Sequence, residues 1–244
     1  MNVKKAIWER HNLGVNCTEY LIDSLDSISD ISKEIKDDKT QYQVAKVESG
    51  NVDIIRFLEQ QGFVFAETNI QLEARIESKP MVPAMFNRLM KDVSIGRASA
   101  FDTQVILEKI ESGRIFTTDK VALDPHFGPK KAGRRYSLWS QSLLAKGGYF
   151  VVAKRNSEII SFSLGIEKEG YYDAFLGGLL DEKFRSFGFL PIYCNMLSAY
   201  ESGFKLIRTG VSSNNLPILK LHITYGFSIT HLYYVFTKHL GSGC

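Results

Sequence analysis

Hydrophobic positions change period several times along the chain, and the changes divide it. In "SLDSISDISKEIKDD", Ile28, Ile31 and Ile35 recur every three or four residues among charged positions, which predicts a helix. "YQVAKVES" reads as a strand in which Val44 and Val47 flank Lys46. In "GNVDIIRFLEQQGF", Val52, Ile55 and Leu58 form a helical stripe that Gly62 stops. "FVFAETNIQLEAR" follows as another strand, and "WERHNLGVNCTEYLI" reads as a loop leading into a strand from about Val15 to Ile22. These elements make a small α/β unit. "ESKPMVP", with two prolines, reads as a linker. The boundary falls near Ser78, dividing the chain into 1–78 and 79–244.

Beyond it, "VSIGRAS" predicts a strand and "AFDTQVILEKIESG" a helix. A long Pro- and Gly-containing stretch then becomes helical around Tyr136 to Leu144. Three strands follow: Phe150 to Lys154, Glu158 to Ile166 and Tyr172 to Leu180. Turns at Asn156-Ser157 and Gly170 make them an antiparallel meander. The rest alternates helix and strand. The expected architecture is a mixed α/β (α+β) sheet with helices.

Composition changes this picture little. Net charge is only +3, which argues against a nucleic-acid binder with its strong basic patch. No apolar run approaches the ~18 residues needed to span a bilayer, and the N-terminus lacks a signal-peptide core. Cys17, Cys194 and Cys244 are scattered, with no CxxC spacing, so neither a disulfide framework nor a metal site is expected. A cytoplasmic protein is the natural reading. The terminal "GSGC" is linker-like.

Two turns have chemical potential. In "LLDEKFRSFGFLP", a strand ends and a helix starts at Pro191, where proline lacks only an N–H that would be unpaired anyway. That helix carries Ile192, Met196 and Ala199 on one face and ends at Gly203. Arg185 and Gly188 precede a helix N-terminus, whose free amides suit a phosphate. In "SNNLPILKLHITYGF", Asn214 or Asn215 can cap a helix with Pro217 in its first turn. Ile218, Leu221, His222 and Tyr225 share one stripe, so His222 is either a packed core histidine or faces something reactive.

Together these turns resemble the GCN5-related N-acetyltransferase superfamily. There an Arg/Gln-x-x-Gly-x-Gly/Ala loop holds the acetyl-CoA pyrophosphate at a helix start. Here Arg185-Ser186-Phe187-Gly188-Phe189-Leu190 matches the Arg and the first Gly, and departs at Leu190. The late signature is similar in Asn215, His222 and Gly226-Phe227. "WERHNLGVNC", "VAKVESGNVDIIRFLEQQGFVFAE" and "RRYSLW" are similar to the dTDP-fucosamine acetyltransferases, which have a small N-terminal α/β domain before the acetyltransferase domain.

The resemblance implies a mechanism of direct transfer from acetyl-CoA, with no metal, to the amine of a small molecule such as a dTDP-amino sugar. It implies donor contacts from Leu179, Leu180, Arg185 through Leu190, Asn215 and Ile218. It places His222, with Tyr225 one turn on, where the family has a tyrosine that protonates the departing thiolate. A histidine could donate from its imidazolium form or relay a proton. The oxyanion donor is expected on the strand near Leu179. Asp119, Asp124, His126, Arg134, Arg135, Tyr136 and Trp139 lie on the acceptor side, with Arg134 and Arg135 expected to meet a diphosphate. Three alternatives stay open: another amine, a longer acyl donor, or a CoA-binding module without turnover. A homodimer also stays open.

Overall fold

The computed structural model describes residues 1–241; Cys244 and the last two residues before it lie outside them. The chain opens with β1 (Asn2–Lys5), α1 (Ile7–Leu13), β2 (Cys17–Ile22), α2 (Ile28–Asp37), β3 (Tyr42–Glu48), α3 (Val52–Gln60) and β4 (Val64–Arg75). After a 3-10 turn at Ala84–Met90 come β5 (Val93–Arg97), α4 (Ala100–Glu111), α5 (Gly128–Leu144), β6 (Tyr149–Arg155), β7 (Glu158–Lys168) and β8 (Tyr171–Leu179). A second 3-10 turn, Glu182–Phe187, leads to α6 (Leu190–Glu201), β9 (Leu206–Ser212), α7 (Leu216–Thr224) and β10 (Ser228–His239).

All ten strands join one mixed sheet in the order β1-β2-β3-β10-β4-β9-β8-β7-β6-β5. Strands from both sides of the expected boundary near Ser78 join this one sheet. β10, from the end of the chain, is antiparallel to both β3 and β4. β4 in turn pairs with β9 from Asn69↔Ser212 to Arg75↔Leu206. The first 75 residues therefore supply a strand to the middle of the sheet.

Alternation puts helices on both faces. In β6, Val151 and Ala153 pack with α6, while Phe150 and Val152 pack with residues of α4 and α5. Ile31 and Ile35 of α2 are buried under β2 and β3, as their spacing predicts.

Three local expectations need correction. Residues 7–13 are a helix rather than a loop, stopped by Gly14 in the left-handed region at φ 78°. The buried positions of α3 are Ile54 and Leu58, while Val52 is exposed, so the sheet lies under a stripe rotated from the expected one. Finally, α5 starts at Gly128, well before Tyr136, because Pro129 belongs to its first turn rather than to a loop. No helix among the described residues is long and apolar enough to cross a membrane.

A buried ion pair ties the N-terminal segment to α5. Arg135 reaches the Glu9 carboxylate through Nε at 2.8 Å and Nη2 at 2.5 Å, and both side chains are almost fully buried. Removing one partner of such a pair strands the other charge away from water and costs roughly 3–5 kcal/mol. Glu9→Ala should lower unfolding stability by about that much in urea titrations. A change within about 0.5 kcal/mol, the usual range for a surface substitution, would show that the pair does not hold these parts together.

Candidate active site

The sheet opens between β8 and β9. Their parallel pairing is confined to Tyr172↔Ile207 and Asp173↔Arg208. Past Asp173 the strands diverge, and the β8 backbone facing β9 loses its ladder partners. Thr209 bridges the start of the gap, its hydroxyl donating to the Ala174 carbonyl at 2.8 Å.

On its other side β8 carries a bulge. Leu164 pairs with Leu176 and Gly165 with Ala174, leaving Phe175 unpaired. The bulge changes the phase of the strand. Tyr172 and Ala174 belong to the α6 side, whereas Leu176 packs on the opposite face. Gly177 then faces α6, where an added Cβ would lie 2.8 Å from the Pro191 Cβ, so only glycine permits this close approach.

Divergence and bulge together leave a cleft of about 160 Å³. Its walls are Ala174–Gly177 of β8 and Thr209–Ser212 of β9. Pro191, Ile192 and Asn195 of α6 and Asn215, Ile218 and His222 of α7 close it on the helix side. No side chain caps α6, so the first-turn amides of Leu190 and Ile192 keep their N–H groups, while Pro191 has none to offer. The Asn195 side-chain oxygen is buried without a hydrogen-bond partner. A polar atom left so beside a cleft fits a ligand that brings an N–H.

A second, larger cavity of about 820 Å³ lies against the first. Asp119, Tyr136, Phe175, Thr209, Gly210 and Ser212 line both. The larger space is polar and mixed in charge, with Lys4, Lys46, Lys120, Lys146 and Arg208 among its walls. Burial, with Lys120 close by, pulls the Lys46 ammonium below its ordinary range, despite an ion pair with Glu19 at 3.6 Å. At the junction, Tyr136 donates its hydroxyl to Asp119 at 2.8 Å, and burial pushes the phenol well above its ordinary range.

His222 lines the smaller cleft and is 7% exposed. Its Nδ1 lies 2.9 Å from the Ile218 carbonyl, one helical turn back. A carbonyl only accepts, so Nδ1 carries the proton and Nε2 keeps a lone pair in the neutral ring. Burial lowers the imidazole pKa to about 4. At neutral pH the ring is therefore neutral, which fits the relay rather than the imidazolium donor of the two roles expected from the sequence. Tyr225 is elsewhere. It is packed in the core with an unpartnered hydroxyl, lines neither cavity, and burial raises its phenol above the usual range.

The Arg185–Leu190 turn divides into anchors and surface. Phe187, Phe189 and Leu190 are buried, Phe189 stacking on Phe86 with ring centroids 4.3 Å apart. The side chain at Leu190 thus points into the core and leaves its backbone at the helix start. Arg185 and Ser186 are exposed, and Arg185 has only a loose ion pair with Glu182 at 3.7 Å. Gly188 has a right-handed backbone at φ −56°. Leu179 and Leu180 do not line the cleft, and the bulge that could aim a backbone donor is at Phe175 rather than near Leu179. Asn215 occupies the cap position of α7 but makes no cap bond, so its side chain is left for the cleft.

On the acceptor side, Tyr136 and Trp139 line the larger cavity. Arg134 is exposed outside it, and Arg135, although at the cavity wall, is committed to Glu9. Asp124 and His126 lie outside both cavities. Asp124 instead accepts from His126 at 3.1 Å and His239 at 2.7 Å, which pins the end of β10 to this loop. These three offer ligand atoms within 4.8 Å of one another, with the two imidazole rings stacked 3.9 Å apart. Cys194 is a core thiol that burial pushes up to about 12.

Comparison with solved structures decides the fold. A GCN5-related N-acetyltransferase from Sphaerobacter thermophilus aligns over 83% of this chain and 61% of its own, with TM-score 0.60 and 15% identity. This fold is that of the GCN5-related N-acetyltransferases. A second such enzyme, from Kribbella flavida, aligns over 93% of this chain and 82% of its own, with TM-score 0.55 and 13% identity. A third match is the GCN5-related glucosamine N-acetyltransferase region of a fungal multi-domain GH3 beta-N-acetylglucosaminidase, over 80% of this chain and 25% of that one, with TM-score 0.59 and 13% identity. This chain thus spans less than two thirds of the Sphaerobacter protein. No family profile and no curated protein matches the sequence.

Sequence reasoning missed Asn195, Thr209 and the bulge at Phe175. A bulge has no residue signature here, and Asn195 sits on a helix that reads as plain packing. The state of His222 is directly measurable. In the unfolded chain its pKa is near 6.5, and in the fold near 4. Stability from this site is therefore complete above about pH 6.5 and is lost as pH falls toward 4, by up to ~3 kcal/mol. Imidazole NMR should show a neutral His222, protonated at Nδ1, down to about pH 5. Titration near 6.5 would overturn the assignment.

Proposed function

We propose that this protein transfers the acetyl group of acetyl-CoA directly to a primary amine, carried on a nucleotide-linked amino sugar. The observation behind the reading is that two unlike cavities meet at one gap in the sheet. The smaller suits the thin pantetheine arm and thioester of the donor. Arg185, Ser186 and the uncapped start of α6 suit its pyrophosphate. The larger has the size and mixed polarity of a sugar nucleotide. Lys120 and Lys146, which line this cavity, take the diphosphate role first expected of Arg134 and Arg135. The amino-sugar acceptor of the fungal enzyme region is in keeping with this reading.

In this scheme the neutral amine attacks the thioester carbon from the larger cavity. Backbone N–H groups of β8 at the Phe175 bulge stabilise the oxyanion. Collapse of the adduct breaks the C–S bond. Nε2 of neutral His222 accepts a proton from an ordered water or the adduct and passes it toward the thiolate.

Calorimetric titration should show acetyl-CoA binding in preference to ATP. Thiol release should follow on adding dTDP-4-amino-4,6-dideoxygalactose. His222→Phe should slow turnover by roughly 10²-fold or more if the relay operates. Turnover with a polyamine or peptide, and none with amino-sugar nucleotides, would move the acceptor to another class. CoA binding without turnover on any amine would leave a binding module.

A further inference from the structure

The larger cavity contains a carboxylate with nothing to hold. Glu67 lies on β4 and is 4% exposed, and its Oε2 is buried without a hydrogen-bond partner. Three cations that line the cavity are paired with other acids: Lys46 with Glu19, Arg135 with Glu9, and Arg208 with Glu73. A desolvated carboxylate that is left unpaired costs several kcal/mol, and the group relieves that only by gaining a cation or a proton.

Its position is informative. Strand alternation puts Glu67, Asn69 and Gln71 on one face of β4, and all three line the cavity. Asn69 pairs with Ser212 and Gln71 with Gly210, and both of these partners line the junction with the donor cleft. Thr68, next to Glu67, exchanges hydrogen bonds with Ser213: its N–H donates to the Ser213 hydroxyl at 2.9 Å, and its carbonyl accepts from the Ser213 amide at 2.8 Å. Glu67 therefore sits at the end of the β4–β9 ladder, beside the mouth that joins the two spaces. The Tyr136 phenol, at that mouth, is raised partly by the charges of Asp119 and Glu67. Asp119 is the less available acid. Its Oδ2 takes the Tyr136 hydroxyl and its Oδ1 takes the Ala122 amide at 2.9 Å.

We propose that Glu67 is the group that receives the acceptor's amine, binding it as an ammonium and taking the proton it must lose before attack. The proposal rests on the acyl-transfer reading above. R–NH3+ and the Glu67 carboxylate become R–NH2 and the carboxylic acid. The nitrogen then forms the N–C bond to the thioester carbon, the C–S bond breaks, and the second nitrogen proton goes to the departing thiolate. Glu67 returns its proton to water. Ammonium and thioester thus become amide, thiol and one released proton. The site selects a cationic amine over the hydroxyl compound of the same shape.

The test uses the full chain with 13C-carboxyl-labelled glutamate, the Glu67 signal being identified by its loss in Glu67→Gln. The probes are glucosamine and dTDP-4-amino-4,6-dideoxygalactose, with glucose and dTDP-6-deoxygalactose as hydroxyl counterparts. At least one amine should move the Glu67 signal saturably and bind about tenfold or more tighter than its counterpart, as a charge-assisted bond does. Glu67→Gln should erase that preference, leave acetyl-CoA binding unchanged, and be at least as stable as the parent because a stranded charge is removed. A Glu67 signal that neither amine moves, a preference that survives in Glu67→Gln, or a large loss of stability in that variant would each overturn the proposal. Absence of acetyl-CoA binding to the parent chain would instead sink the acyl-transfer reading, whatever Glu67 does.

Discussion

The structure depends on how β9 is held. On one side it is paired with β4 along its whole length, from Leu206 to Ser212. On the other it touches β8 at two positions and then leaves. A strand so weakly tied to one neighbour needs a strong tie to the other, because unpaired backbone groups in a buried sheet are costly. β4 supplies that tie. It in turn is locked by β10, which β3 flanks on its far side. The gap at the heart of the molecule is thus sustained by the N-terminal segment, not by the strands that form it.

The gap separates two environments. On the helix side, α6 presses its first turn against Gly177, and Ile192 and Ile218 give a narrow, largely apolar slot. On the opposite side, charged and amide side chains from β4, β9, α5 and the N-terminal strands face a roomy polar space. The bulge at Phe175 lets one strand serve both, because it changes which side chains face which cavity midway along β8.

The buried Arg135–Glu9 pair shows how an expectation can name the right residue and the wrong partner. Its guanidinium lies 4.7 Å above the Trp139 ring and bridges α5 to α1. Its fork is filled by the Glu9 carboxylate from more than a hundred residues away, so it shapes the cavity wall and has no Nε–Nη2 donor pair left for a ligand's diphosphate. His222 is a similar case. It lies where the spacing put it, but its helix supplies a carbonyl acceptor and its burial removes the charge.

Local rules made much of this protein readable from its sequence. Periodicity gave the helix of Ile31 and Ile35. Glycine and proline punctuation gave the three-stranded meander, the Pro191 helix start and the Pro217–Gly226 helix, because such signals act within a few residues. The Arg185–Leu190 and Asn215–Phe227 segments carried the resemblance to the acetyltransferase fold. Where each strand pairs was decided only by the tertiary structure. That β10 slots between β3 and β4, that β8 and β9 part after Asp173, and that Glu67 is sealed in with no partner all depend on contacts between distant segments. An alternating "ETNIQ" reads the same whether its polar face meets water or a cavity, since burial belongs to the packed molecule and not to the strand.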